Sequence, residues 1–113
     1  MIAGQSATEW ARQGIVISAP TAQPCLTAEE AKQSALSRQP GATNLEVTLV
    51  HMEMPTSQVV PTSNYWAVAA TPAPGTKMVG GPAGCHRSPR PATHVVVWLV
   101  AETGRRVLTR MWG

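Results

Sequence analysis

Apolar and polar positions follow a strand period in three stretches of this chain and a helical period in one. The longest apolar run, Val95-Val96-Val97-Trp98-Leu99-Val100, cannot turn every side chain to one side of a sheet. A strand over 94–100 that is central, or covered on both faces for part of its length, is therefore predicted. Beyond the turn Glu102-Thr103-Gly104-Arg105, Val107, Thr109 and Met111 alternate with Leu108, Arg110 and Trp112, so 94–112 reads as a hairpin. Leu45 to Met54 is apolar at 45, 47 and 49 and then at 50, 52 and 54, and a β-bulge near Leu49-Val50 is expected to explain the slip of phase. Tyr65 to Ala70 places Trp66 and Val68 on one face and Tyr65 and Ala67 on the other, an antiparallel partner for 45–54.

The helical stretch opens at Thr27-Ala28-Glu29-Glu30, a capping box in which the threonine hydroxyl and the second glutamate each satisfy an amide of the first turn. Ala28, Ala31, Ala35 and Leu36 fall on one side and permit close approach to a sheet, and Pro40-Gly41 stops the helix at Gln39. Ser6-Ala7-Thr8-Glu9 has the same capping spacing and predicts a turn or two of helix before Gly14. Ile15-Val16-Ile17 is a short β-type run, an edge strand or a surface tether, ended by Pro20 and Pro24. The expected fold is α+β, one main helix packed on a twisted antiparallel sheet of about four strands. Residues 1–113 form a single domain, with 1–24 an N-terminal extension.

Composition adds one feature to this pattern. Between 71 and 93 lie five prolines and four glycines, a long Pro/Gly loop that is functional, disordered, or pinned by Cys85 as an Ω-like loop carrying Lys77, Arg87 and Arg90. Charge is unevenly placed: residues 1–76 hold three basic and five acidic side chains, and 77–113 hold six basic and one acidic. The asymmetry fits an anionic partner surface or a plainly solvated face. Nucleic acid is not expected, because the arginines lack interleaved aromatics. The candidate partner-binding residues are Lys77, Arg87, Arg90, Arg105 and Arg106.

Cys25 and Cys85 have neither a C-x-x-C nor a zinc spacing, and are either two buried thiols or a disulfide. A bridge would close a loop of about 60 residues and contribute ~4 kcal/mol in the chain-entropy picture. It would also place the protein outside the cytoplasm. Catalysis is not expected: Cys85 and His86 are adjacent, but the chain has no aspartate to complete a triad. No cofactor is expected. The rival reading is copper or zinc handling through His51, His86 and His94, with methionine and cysteine nearby. No apolar run reaches the length of a membrane span, and the first 25 residues lack the make-up of a secretory signal.

Leu26-Thr27-Ala28-Glu29-Glu30-Ala31, Ala35-Leu36 and Pro40-Gly41-Ala42 resemble the helix of PepSY-type domains and of the wider cystatin-like group. Tyr65-Trp66-Ala67-Val68, Val100-Ala101-Glu102-Thr103-Gly104 and Val107-Leu108 resemble a strand and the closing hairpin of the same family. The likeness covers 26–110. The chain departs from it at Val100, where an acidic residue is usual, at the doubled Arg105-Arg106, and in the 71–93 loop. What the resemblance implies is a cystatin-like fold and a non-enzymatic, exported binding or peptidase-inhibitory module, secreted or at the cell envelope. Its partner would be a protein or peptide. Apart from the resemblance, an export signal or anchor removed from the chain as given is an expectation that would reconcile export with the make-up of the first 25 residues. No functional residue is carried over.

Overall fold

The computed structural model describes residues 2–78 and 90–112. Its elements are α1 (Ala7–Arg12), β1 (Val16–Ser18), α2 (Ala28–Arg38), β2 (Thr43–Glu53), β3 (Ser63–Thr71), β4 (Lys77–Met78), β5 (Arg90–Pro91), β6 (His94–Val100) and β7 (Arg106–Trp112). Five of the strands make one antiparallel sheet in the order β1-β2-β3-β6-β7, and β4 and β5 form a separate two-stranded ribbon. Both capping boxes are present, Ser6 with Glu9 and Thr27 with Glu30, so each helix starts where its sequence signal lies.

The expected fold class is corrected. One main helix on about four strands is not what forms: the chain is mostly sheet, with five strands in its main sheet and two short helices of six and eleven residues. The physical reason is that the sheet is apolar on both faces, so one helix cannot cover it. On the front face lie Val50, Met52, Tyr65, Ala67, Ala69, Val96 and Trp98, packed with Ile2, Trp10 and Ile15 from the first fifteen residues. On the back face lie Val68, Val95, Val97 and Leu99, packed with Ala31 and Ala35 of α2. The segment read as an extension is thus one wall of the larger core, and Trp10 within it is fully buried.

The slip of phase in β2 has the same cause. Register runs unbroken from Glu46 opposite Ala69 to Met52 opposite Ser63, and the irregularity falls between Thr43 and Glu46 instead. Leu45 and Val47 serve the back core while Val50 and Met52 serve the front core, so the apolar side changes where the cover changes, without a bulge. Strand β6 is the centre of the fold, buried from Val95 through Leu99 as its unbroken apolar run requires.

Candidate binding site

One end of the sheet gathers the loop 54–62, the β6–β7 turn and the start of β1. Val16 pairs with Glu53, the last residue of β2, and Ala101 N donates to Asn64 O beside the first residues of β3. The loop is held from within. Ser57 Oγ accepts from the amides of both Val59 and Val60 at 3.3 Å, an arrangement that serine favours in turns. The Tyr65 hydroxyl donates to Pro61 O at 2.6 Å, and burial raises the phenol pKa above its ordinary value. Val60 is sunk into the front core.

These anchors leave Val59 on the outside, 87% exposed, against 42% for Val16, the other large apolar side chain exposed among the described residues. Both belong to this end. Beside them the turn is closed by Gly104 N to Val100 O at 2.7 Å and Val100 N to Arg105 O at 2.9 Å. Gly104 takes φ +73, a conformation that glycine adopts without strain. Arg105 on the turn and Arg106 at the start of β7 are exposed, and so is Glu102. The end therefore presents an apolar tip on a braced loop with two guanidinium groups alongside, a surface suited to non-covalent contact.

The predicted partner-binding residues are not brought together. Lys77 is exposed on β4 opposite Pro91, and Arg90 holds the neighbouring place on β5, both at the start of β6. Arg106 pairs with Leu99 near the far end of β6 and Arg105 lies in the turn beyond it, roughly 20 Å away at the rise of an extended strand. Arg87 falls outside the described residues. So do Cys85 and His86; Cys25 is exposed, and there is no disulfide among the described residues.

The two described histidines of the metal reading are also apart. His51 faces Ser18 Oγ at 3.5 Å near the end of β2 on the back face. His94 stacks on Trp112 at the start of β6, with centroids 5.1 Å apart and planes at 3°, and its Nδ1 lies 2.8 Å from Thr93 Oγ1. They occupy opposite ends and opposite faces of the sheet, so one ion cannot take both. Among the described residues no three His, Cys, Asp or Glu side chains are grouped to hold a metal. No helix among them is long and apolar enough to cross a membrane.

Val59 was missed in the sequence because Pro55 to Ser63 reads only as a turn. The segment does hold two adjacent valines between prolines, of which the structure buries Val60 and exposes Val59. No protein-family model, no curated protein and no solved structure matches the chain.

Proposed function

We propose that the chain is a non-enzymatic binding module of the peptidase-inhibitory or regulatory kind that the PepSY-type and cystatin-like resemblance implies. It acts outside the cytoplasm on a protein or peptide partner at the cell envelope. It docks end-on, through the loop 54–62 with Val59 at its tip, flanked by Arg105 and Arg106. The observation that carries this reading is the 87% exposure of Val59 on a loop whose neighbours are fixed by Ser57 Oγ, Val60 and Tyr65. A large apolar side chain held out on a braced support loses little freedom when it enters a cleft, which favours affinity.

The test is inhibition of one purified member each of the cysteine, serine, aspartic and metallopeptidase classes by the chain, beside its Val59→Glu and Arg105→Glu/Arg106→Glu variants. Inhibition of one class is expected, weakened at least about tenfold by Val59→Glu, as for loss of a central contact. The arginine variant should bind more weakly in low salt and resemble the parent in high salt. Failure to inhibit any class at large molar excess overturns the peptidase reading. Inhibition indifferent to Val59→Glu overturns the docking surface.

A further inference from the structure

The order β1-β2-β3-β6-β7 leaves two edges, and they differ. At one, β1 contributes only three residues. At the other, β7 runs for seven residues, Arg106–Trp112, and among the described residues pairs with β6 alone. Its outer side therefore carries backbone N–H and C=O groups at alternate positions with no strand among the described residues to meet them.

A second, independent feature lies on the same strand. Arg110 sits on the front face opposite Val96, and its Nε is buried without a hydrogen-bond partner among the described residues. A buried guanidinium nitrogen normally faces an acceptor, because its desolvation is otherwise uncompensated. Among the described residues Arg106 donates to Thr109 Oγ1, at 3.4 Å. The ion pair among the described residues is Lys32 with Glu29, far off on α2. From Lys77 onward the chain has a single acidic residue, Glu102, and it stands in the turn. The strand thus offers main-chain pairing together with arginines that have no carboxylate partner among the described residues.

We infer that β7 receives an added strand: an extended segment of a partner protein, with carboxylate side chains at alternate positions, one of which accepts from Arg110. Main-chain bonds to the edge supply the attachment and the guanidinium selects the sequence. A second copy of this chain does not fit the site. Antiparallel pairing of β7 with itself would gather Arg106 and Arg110 from both copies along one seam, with no carboxylate in the strand Arg106–Trp112 to offset them. The same charges that keep the edge from self-pairing favour an acidic visitor. The edge meets the loop-end site at Arg106, the first residue of β7, but the inference rests on Arg110 and the outer backbone of the strand, and its test does not depend on peptidase inhibition.

The experiment measures anisotropy of a fluorescent, end-capped peptide of eight alternating threonines and glutamates with the full chain. Companion peptides carry glutamine or lysine in place of glutamate, and a further one is N-methylated at alternate amides. The glutamate peptide is expected to bind at least about tenfold more tightly than the glutamine and lysine peptides. N-methylation should abolish binding without any change to the protein, and Arg110→Gln should weaken it at least about tenfold. Amide exchange should slow at alternate positions of β7 and stay unchanged in β1. Equal binding of the glutamate and glutamine peptides, binding that survives N-methylation, or unprotected β7 amides would each overturn the inference.

Discussion

The indole of Trp10 meets that of Trp98 edge-on, with centroids 5.5 Å apart and planes at 87°, joining a six-residue helix to the middle of the central strand. Trp112 stands edge-on to Trp10 as well, at 5.7 Å, so three of the four tryptophans form one cluster on the front face. Such pairs contribute beyond their buried area. The first fifteen residues are fastened to the sheet by this contact.

The two buried indoles differ in one atom's surroundings. Trp10 Nε1 donates to Ile2 O at 3.2 Å, whereas Trp98 Nε1 is buried with no partner among the described residues. Replacing each by phenylalanine loses similar apolar area, but Trp10→Phe also breaks a hydrogen bond and Trp98→Phe removes an unsatisfied donor. Trp10→Phe should therefore be the more destabilising by about 1 kcal/mol. Trp10→Ala should cost about 3–5 kcal/mol. Urea unfolding of the three variants checks the order, and Trp98→Phe proving the worse of the pair would contradict it.

Tyr65 is the single tyrosine, so its ionisation can be followed without interference from another phenol. Burial raises its pKa above the ordinary value of 10.0, because the phenolate would be poorly solvated. The folded chain then holds the proton more tightly than the unfolded chain. Stability is unaffected by this group below the ordinary value and falls as the pH rises from there toward the folded pKa. The measurement is urea stability across the alkaline range, with phenolate absorbance recorded in parallel. Tyr65→Phe should lose about 1 kcal/mol at neutral pH, for the bond to Pro61, and show a flatter alkaline decline.

Local signals were legible where one short-range interaction decides the outcome. Thr27 with Glu30 and Ser6 with Glu9 marked helix starts because a capping box is complete within four residues. The run Val95 to Leu99 marked a strand buried on both faces for a similar reason. Layering was not legible. Residues 1–24 read as an extension because nothing local tells Trp10 that Trp98 lies beneath it, and a switch of covered face in β2 imitates a bulge in sequence. Lys77 and Arg105 belong to the same basic third of the chain, one in the 71–93 loop and the other on the rim of the hairpin, and how far apart the two places lie was not legible: β6 separates them by its length.

The close approach of α2 to the back of the sheet sets a steric limit. Ala31 is fully buried and Ala35 nearly so, while Ala28, which shares their side in the sequence pattern, is exposed at the first turn. Ala31→Leu and Ala35→Leu should each lower stability by about 1–3 kcal/mol through overpacking. Ala28→Leu should fall within about 0.5 kcal/mol of the parent, as exposed substitutions do. Thermal melts of the three variants provide the comparison.

Gly41 follows α2 with φ +82, and a Cβ added there would lie 2.9 Å from the Cβ of Ala73. Gly41→Ala should cost more than the roughly 1–2 kcal/mol of the left-handed conformation alone. Ala73→Gly in the same chain should recover the steric part and leave the conformational part. A double-mutant cycle in urea measures the coupling between them. Strictly additive effects would mean that the two segments are not in contact.

His51 and His94 lie at opposite ends and on opposite faces of the sheet, one beside Ser18 and the other stacked on Trp112. An ion that bound both would need the sheet to come apart, so any response of one ring to zinc or copper should be independent of the other. Imidazole NMR signals of the parent, His51→Ala and His94→Ala chains, followed through a zinc titration, test this. Each substitution should remove only its own signal and leave the remaining ring's midpoint within about twofold, a difference well under 1 kcal/mol. Loss of the His94 response in His51→Ala would require the two rings to share an ion. It would reopen the metal reading that the placement of these strands argues against.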